Sequence, residues 1–105
     1  MFAKMPVDHR TIQLWGLLHG GASVAMAETL GSIGANMSIN SNNEMVVGIE
    51  INANHLKSVR EGWVYGKAKP IKIGNKIHVW EIRITNDDND LICISRLTLA
   101  VIKQS

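Results

Sequence analysis

The sequence predicts an α+β fold in which a curved antiparallel sheet wraps around one long central helix. One segment with helical spacing is apolar on nearly every face, which is typical of a helix enclosed by protein. Four segments rich in β-branched residues follow it with only short turns between them, and such spacing favours antiparallel pairing over crossover connections. The chain has 105 residues, which fit a single domain spanning 1–105 and leave no room for a second core.

The predicted helix spans residues 22–37, and Glu28 is its only charged residue. Its apolar positions recur every three or four residues, and small or apolar residues occupy the other faces as well. Gly31 and Gly34 would each cost about 1 kcal/mol relative to alanine in a helix. We expect another segment of backbone to pass close to them, because a close approach would offset that cost.

Five strands are predicted around the helix, at 2–7, 45–54, 62–69, 76–85 and 91–102. Within the fourth, His78 alternates with Trp80 on one face and is interpreted as a packed strand residue. A cluster of Asn and Asp at 86–90 predicts a tight turn before the last strand. A sheet this small leaves one edge and part of the helix uncovered, so a homodimer is expected to bury the rest.

The composition excludes several classes of protein. The chain is 46% hydrophobic and 19% charged, with a formal net charge of +2, which is too apolar for intrinsic disorder. A single cysteine, Cys93, leaves no internal disulfide and no cysteine cluster for zinc, and is interpreted as a small buried hydrophobe. The histidines do not fall at metal-ligand spacing, so neither a metal nor a cofactor is expected. No secretory signal or membrane span is recognisable, and the expected location is the cytoplasm.

Glu28 is the first candidate for chemistry. A carboxylate in the middle of an apolar helix is costly to desolvate, and no basic residue lies within four positions of it. Alternatively, Glu28 could lie on a solvent-facing stripe or pair with a distant lysine. We favour a functional role for it, as nucleophile or general base.

A glycine-rich segment, 16–21, precedes the predicted helix and contains His19 and Gly20. Backbone N–H groups at the start of a helix lack intrahelical partners and lie at the positive end of the dipole, which suits a developing oxyanion. Gln13 and His19 are polar side chains that could orient a carbonyl, although a glycine-rich cap without function is the alternative. His19 lies nine residues before Glu28, or about 13 Å along a helix, so the two are expected to meet only across a dimer.

Basic residues are concentrated in one window of the sequence. Six of the eleven Lys and Arg residues lie within 57–76, together with a single acid, Glu61. This is typical either of a phosphate-binding rim or of a solvated strand face. Binding of nucleic acid is less favoured, because only Trp63 and Tyr65 could stack on bases. The six are Lys57, Arg60, Lys67, Lys69, Lys72 and Lys76.

Four motifs taken together resemble a known family. They are MPVDHRTIQ at 5–13, GLLHGGAS at 16–23, AETLGS at 27–32 and VGIEINANHLKS at 47–58. The chain resembles, over nearly its whole length, the hotdog-fold acyl-CoA thioesterases of the 4-hydroxybenzoyl-CoA and phenylacetate-pathway type. Within them it is most similar to the branch that holds the 1,4-dihydroxy-2-naphthoyl-CoA thioesterases of menaquinone synthesis and the enzymes that proofread aryl carrier proteins in enterobactin synthesis.

The resemblance implies a hotdog fold and assigns a role to each residue of a catalytic set. Glu28 matches the family's catalytic carboxylate, and Gln13 and His19 match the side chains that orient the thioester. Gly20 matches the oxyanion-hole amide, and Ser32 a hydroxyl that helps to position water. Contacts to coenzyme A would fall on Gly48, His55, Leu56, Lys57, Ser58, Arg60, Lys72, Ile73, Gly74, Asn75, Lys76 and Ile77.

The function that the resemblance implies is hydrolysis of an acyl-CoA, with an aromatic acyl group, to the free acid and coenzyme A. Coenzyme A is then part of the substrate and not a cofactor. The implied assembly is a homodimer that shares its active sites, within a dimer of dimers, and an acyl-carrier protein is a further candidate partner. Family members also begin with an additional helix and a longer first strand, which help to close the acyl pocket. The resemblance therefore implies either that this chain is N-terminally truncated or that another segment supplies that pocket wall. Two alternatives stay open: an acyl-CoA or acyl-carrier binding module without catalysis, and a dehydratase that uses His19, which fits the motifs less well.

Overall fold

The computed structural model describes residues 2–7, 20–40 and 42–103. All pairings of its five-stranded sheet are antiparallel, in the order β1-β3-β4-β5-β2. The curved sheet packs against one helix, and the predicted α+β fold class is confirmed. The elements are β1 (Phe2–Pro6), α1 (Gly20–Asn36), β2 (Glu44–His55), β3 (Trp63–Ile73), β4 (Ile77–Thr85) and β5 (Leu91–Lys103).

The helix lies on one face of the sheet, here called the inner face. The strands on either side of α1 in the chain, β1 and β2, form the two opposite edges of the sheet. The helix packs mainly against four strands, β2 to β5. The opposite face of the sheet, here called the outer face, carries no helix.

The core lies between α1 and the inner face, and period-two alternation explains which strand residues enter it. In β4 every second residue from His78 to Ile84 is buried, as the alternation predicts. Ala27, Leu30 and Ala35 supply the helix side of the core. Cys93 is buried in β5, and its thiol is free. The interpretation of His78 and Cys93 as packed strand residues is therefore confirmed.

The two helix glycines lie against side chains and not against backbone, which corrects our expectation. A Cβ on Gly31 would lie 2.6 Å from Cδ2 of Leu97, and one on Gly34 would lie 2.7 Å from Cζ3 of Trp80. Both distances are too short for a real Cβ. The glycines therefore let α1 approach large side chains of β4 and β5 closely.

The third strand is longer than predicted. We expected it to end at Lys69, before Pro70, but β3 continues to Ile73 and its register with β4 shifts between Pro70 and Lys72. Strand β1 ends at the pairing of Phe2 with Lys67, so Pro70 lies where β3 is itself a sheet edge. A proline is tolerated at an edge or a bulge, because no neighbouring strand needs its missing N–H.

Candidate active site

One face of α1 is not covered by the sheet. The expectation that protein surrounds the helix is therefore not met within a single chain. Glu28 lies on this face with its side chain exposed, and Ser32, one helical turn later, is half-buried. Within the described ranges, no ion pair involves Glu28. The other residues exposed on this face are Ala25, Thr29, Ile33 and Asn36.

Glu28 and Ser32 are four residues apart, so their side chains neighbour each other on the helix surface. The structure thus brings together two of the five catalytic candidates. Both side chains lie on the part of the uncovered helix face that is farther from β1 and nearer to the β2 edge of the sheet. Ala25 and Thr29 lie on the helix surface between these two side chains and β1.

The helix begins at Gly20, two residues earlier than predicted. Its first N–H groups, that of Gly20 included, have no partner within the helix and lie at the positive end of the dipole. Gly20 precedes Glu28 by eight residues, or about 12 Å along the axis. The amide and the carboxylate of one chain are therefore too far apart to act on the same carbonyl group. Gln13 and His19 lie outside the described residues.

An apolar groove runs between β1 and α1, and the sequence analysis did not identify it. It encloses about 540 Å³. On its helix side, Ala25 and Thr29 lie three residues before and one residue after Glu28, and Glu28 itself does not line the groove. Period-two alternation in β1 and helical spacing in α1 could have identified the two walls, but not that they face each other. The remaining lining residues are Phe2, Ala3, Lys4, Met5, Met26, Leu30 and Ile33.

The residues expected to contact coenzyme A fall into two groups at opposite ends of the sheet. Gly48 shares one row of the sheet with His78 and Ile73, through pairings with β5. His55 lies seven residues further along β2, or about 23 Å away at the rise of a strand, and residues 56–60 follow it. One chain therefore does not bring the two groups together.

The basic window also divides in space. Nζ of Lys57 lies 2.6 Å from a carboxylate oxygen of Asp90, in the turn between β4 and β5. This hydrogen bond raises the pKa of Lys57 and lowers that of Asp90. Lys57 is therefore part of an exposed ion pair at this turn. This agrees with the alternative interpretation of the basic window as a solvated face. Lys67 and Lys69 lie on the outer face of β3.

Two further cations, Arg83 and Arg96, join Lys67 and Lys69 on the outer face, and the sequence analysis missed them. The basic window identified in the sequence ended at residue 76, whereas these two arginines lie in β4 and β5. Because His78 and Trp80 face inward, residues 81 and 83 must face outward. Glu81 pairs with Arg96 of β5, so the side chain of Arg96 also lies on the outer face.

Two buried groups that could be reactive are not placed for catalysis. The side chain of His78 is 1% exposed, and its Nδ1 accepts a hydrogen bond of 3.5 Å from Nε1 of Trp80. Burial lowers the pKa of His78, although the charge of Glu44 opposes this. Burial also raises the pKa of the Cys93 thiol, which disfavours the nucleophilic thiolate. No three His, Cys, Asp or Glu side chains in the described part of the chain could together hold a metal ion.

Comparison with known proteins identifies the family. Residues 16–93 match the family model of the Thioesterase superfamily. The chain belongs to the thioesterase superfamily. It is 51% identical over 100 residues to the 1,4-dihydroxy-2-naphthoyl-CoA hydrolase of Escherichia coli, covering 95% of this chain and 72% of that protein. The family predicted from the motifs is thereby confirmed, and the chain is an enzyme that hydrolyses thioesters.

Solved structures of other members of the superfamily have the same fold. A thioesterase from Haemophilus influenzae superimposes with a TM-score of 0.93 at 53% identity, covering 97% of this chain and 71% of that one. A Staphylococcus aureus protein has been solved as two variants, in which alanine replaces a glutamate or a glutamine. The glutamate variant has a TM-score of 0.93 at 40% identity, covering 97% of this chain and 84% of that one. No helix in the described part of the present chain is long and apolar enough to cross a membrane.

Proposed function

We propose that this thioesterase hydrolyses aromatic acyl-CoA thioesters and that Glu28 is the catalytic carboxylate. The observation that carries the proposal is the position of Glu28. It is the only charge on α1, it is exposed on the uncovered helix face, and its helix neighbours Ala25 and Thr29 form the near wall of an apolar groove. A carboxylate at the mouth of an apolar groove is suited to act on a carbonyl whose acyl group occupies that groove.

The groove defines where the substrate would lie. Its volume of about 540 Å³ accommodates a bicyclic aromatic group, and its lining is almost entirely apolar. With the acyl group there, the thioester carbon lies over Ala25 and Thr29, next to Glu28. The relative from Escherichia coli, named for a naphthoyl-CoA substrate, supports an acyl group of this class, and 1,4-dihydroxy-2-naphthoyl-CoA is the first compound to test.

The proposed reaction needs a base, an oxyanion donor and a route for the leaving group. Glu28 takes a proton from water as the water oxygen attacks the carbonyl carbon, and Ser32 holds that water in position. The tetrahedral oxyanion accepts a hydrogen bond from the N–H of Gly20, while Gln13 and His19 orient the carbonyl. When the C–S bond breaks, the thiolate recovers the proton from Glu28 and leaves as coenzyme A.

Two copies of the chain must contribute to such a site, because Gly20 and Glu28 of one chain lie about 12 Å apart along the helix. Strand β2 offers the means of assembly. It has 12 residues and is an edge strand of the sheet, and it carries exposed apolar side chains such as Ile49, which is 58% exposed. A long apolar edge of this kind pairs readily with another strand, and Glu28 faces this edge of the sheet.

The spacing of the candidate residues also supports the proposal. In the Staphylococcus aureus protein, the glutamate and the glutamine chosen for replacement by alanine are fifteen residues apart. Gln13 and Glu28 have the same separation in this chain.

The test is turnover of 1,4-dihydroxy-2-naphthoyl-CoA by the Glu28→Gln variant, followed by release of the free thiol. We expect kcat to fall by about 10²-fold or more, which is the scale of general-base catalysis. The melting temperature should not change, because the side chain is exposed. Glu50→Gln is the matched control, since Glu50 is an exposed carboxylate on the outer face of β2, and its activity should equal that of the wild type.

Near-normal hydrolysis by Glu28→Gln would exclude the proposed role. Saturable binding of the acyl-CoA by the wild type without release of thiol would instead identify a binding module. A single turnover in ¹⁸O-labelled water tests for direct attack by Glu28. Label in the enzyme carboxylate requires a mixed anhydride that water opens at the Glu28 carbonyl, whereas general-base catalysis places label only in the product acid.

A further inference from the structure

The outer face of the sheet carries a group of aromatic residues at the end nearest to β1. The ring centroids of Phe2 and Tyr65 lie 6.3 Å apart and the ring planes differ by 23°, so the two rings are stacked. Trp63 lies two residues before Tyr65 in β3 and therefore on the same face. Phe2 is 64% exposed and Trp63 is 40% exposed. Exposed apolar surface of this kind marks an interaction site, and these residues are here called the aromatic patch.

Cations adjoin the aromatic patch on the same face. Nζ of Lys4 lies 4.8 Å from the ring centroid of Trp63. Lys67 lies opposite Phe2 on one side and opposite Arg83 on the other. Like charges directly opposite each other destabilise a sheet, so folding alone does not account for the pair of Lys67 and Arg83. The neighbouring row adds Lys69 and Arg96.

Hydrogen-bonding groups complete this face. Glu81 lies between Lys69 and Arg96 in the register of the sheet, and its carboxylate is 3.2 Å from Nε of Arg83. Asn52 pairs with Arg96, so its exposed carboxamide follows in the same row. From the β1 edge to the β2 edge, the face therefore offers aromatic rings, then cations, then donors and acceptors of hydrogen bonds.

This combination fits single-stranded RNA better than other large anions. Antiparallel sheets that bind such RNA stack about two or three bases on exposed aromatic rings, while cations neutralise the phosphates. The face of an aromatic ring is negative, so the carboxylates of an acidic protein would gain nothing from the aromatic patch. A bilayer surface would place Glu81 and Asn52 against lipid, at a cost in desolvation. In a duplex the bases are stacked on one another and cannot use the rings.

We propose that the outer face of the sheet binds single-stranded RNA. The bases stack on the aromatic patch, and the phosphates lie against Lys67, Arg83 and the cations of the neighbouring row. A base that stacks on Trp63 displaces the amine of Lys4 toward a phosphate, because stacking on a base is the stronger interaction. The ribose 2′-OH both donates and accepts hydrogen bonds, so the carboxamide of Asn52 can pair with it, and this contact distinguishes RNA from DNA.

RNA binding on this face goes beyond thioester hydrolysis, and none of the residues involved belongs to the proposed catalytic set. On the sequence alone, nucleic acid is less favoured, because only Trp63 and Tyr65 could stack on bases. The sheet adds Phe2 from β1, which stacks on Tyr65. It also adds Arg83 and Arg96 from β4 and β5, which no single window of the sequence connects with the rings.

Fluorescence titration with an oligouridine of about 12 nucleotides tests the aromatic patch. Trp63 is exposed and Trp80 is buried, so a base stacked on Trp63 should quench the emission, and Trp63→Phe should lose that quenching. In Phe2→Ala/Trp63→Ala, the Kd should rise by about tenfold or more. Met37→Ala removes an exposed apolar side chain outside the patch, and its Kd should equal that of the wild type. Melting temperatures are measured first, to confirm that each variant folds.

The dependence of affinity on salt tests the cations. Each phosphate neutralised on a single strand contributes about 0.7 to the slope of log affinity against log salt concentration. Lys67→Ala/Arg96→Ala leaves Glu81 with both of its ion pairs, so the variant should fold. Its slope should fall by about 1.4, because two phosphate contacts are lost. Lys76→Ala/Lys103→Ala removes two exposed cations away from the aromatic patch, and its slope should not change.

Thiol release from the acyl-CoA separates this proposal from the catalytic one. The Lys67→Ala/Arg96→Ala variant should hydrolyse the thioester at the wild-type rate. Binding of oligouridine by the wild type would support the RNA proposal even if no thioester were hydrolysed. Wild-type Kd and wild-type salt slope in both outer-face variants would refute it and would leave the catalytic proposal standing.

Three other ligands decide the remaining alternatives. Equal affinity for oligodeoxyuridine would overturn the assignment to RNA. Equal affinity for duplex RNA, without quenching of Trp63, would reduce the contact to charge alone and would refute stacking. Binding of polyglutamate or of phosphatidylglycerol vesicles, with no binding of oligouridine, would identify an acidic protein or a membrane as the partner and would equally refute the proposal.

Discussion

Gly34 lies where the helix crosses the indole of Trp80. A Cβ at this position would lie 2.7 Å from Cζ3 and 2.8 Å from Cη2 of the ring, and Trp80 is only 5% exposed, so the ring has little room to move. Alanine has a helix propensity better than glycine by about 1 kcal/mol. Overpacking of a core costs about 1–3 kcal/mol. We therefore expect Gly34→Ala to lower the free energy of unfolding by up to about 2 kcal/mol, measured by urea denaturation.

Thr29→Ala is the control for this prediction, because Thr29 is exposed on the same helix. Alanine should stabilise the protein slightly there, by up to about 0.6 kcal/mol. A Gly34→Ala variant more stable than the wild type by about 1 kcal/mol would mean that the helix can shift away from Trp80 at no cost.

His78 predicts a pH dependence of stability. Burial lowers its pKa in the folded protein below the usual 6.5, so the unfolded chain takes up the proton first as the pH falls. The free energy of unfolding should therefore decrease as the pH falls from about 6.5 to the lowered pKa, and should be constant above about 7.5. Urea denaturation at about pH 7.5 and about pH 5.5 measures this decrease.

The His78→Gln variant should lose most of the decrease between these two pH values. Asp87 and Asp90 do not interfere, because their pKa values are lowered from 3.8 and their contribution is lost only at more acid pH. An unchanged slope in the variant would assign the effect to another group.

At the scale of residues, the sequence predicts which side chains are buried better than it predicts which side chains contact each other. Alternation along β4 and β5 was enough to identify His78 and Cys93 as packed residues, because burial follows from which face of a strand a residue occupies. Which side chain meets Gly31 or Gly34 depends on where the helix crosses the sheet. No local pattern encodes this crossing, and the backbone contact that we expected is in fact a contact with Leu97 or Trp80.

Among the elements, the turn between β4 and β5 is connected to the start of β3 by hydrogen bonds to the side chain of Asp87. Its carboxylate accepts hydrogen bonds from the hydroxyl of Tyr65, at 2.7 Å, and from the backbone N–H of Trp63, at 3.0 Å. The bond from Tyr65 is the main cause of the lowered pKa of Asp87, and it also raises the pKa of Tyr65 above 10.0. In Asp87→Ala, the pKa of Tyr65 should return toward 10.0, as followed by ultraviolet absorption, and the melting temperature should fall.

Asp88→Ala provides the comparison, since Asp88 is the exposed neighbour in the same turn, and it should leave both quantities unchanged. If Asp87→Ala left the titration of Tyr65 as in the wild type, the bond between the two side chains would not persist in solution.

At the scale of elements, the residue pattern predicts the type and order of the elements well, but it predicts the end of β3 less well. The Asn and Asp residues at 86–90 predicted the turn correctly, and Asn89 adopts a positive φ of 64° there, which its short polar side chain tolerates. Pro70 predicts the end of β3, but the strand continues to Ile73. Its position on a sheet edge follows from the shortness of β1, and this is a property of the assembled sheet.

The molecule as a whole leaves its candidate catalytic groups apart. Glu28 and Ser32 were predicted as candidates and lie together, whereas Gly20 lies at the far end of the same helix and the expected coenzyme A contacts lie at both ends of the sheet. The sequence could supply these residues because the motifs are local. It could not supply their arrangement, because in the proposed site that arrangement depends on how two copies of the chain pair.

Mixing two inactive variants tests the shared site directly. Glu28→Gln lacks the carboxylate, and His19→Ala lacks a side chain expected to orient the thioester. If each site takes its carboxylate from one copy and its orienting groups from the other, every mixed dimer has one intact site and one that lacks both residues. Random pairing should then restore about one quarter of the wild-type activity, since half of the dimers are mixed and each has one working site of two.

The measurement is thiol release after the two variants are denatured together in equal amounts and refolded, with each variant refolded alone as the control. Size-exclusion chromatography with light scattering confirms that all samples have the same mass. Activity no greater than the sum of the two controls would place Glu28 and His19 of one chain in the same site. That outcome would require residues before α1 to fold back along the helix by about 13 Å, and it would remove the reason for a shared site, although β2 could still pair with a second copy.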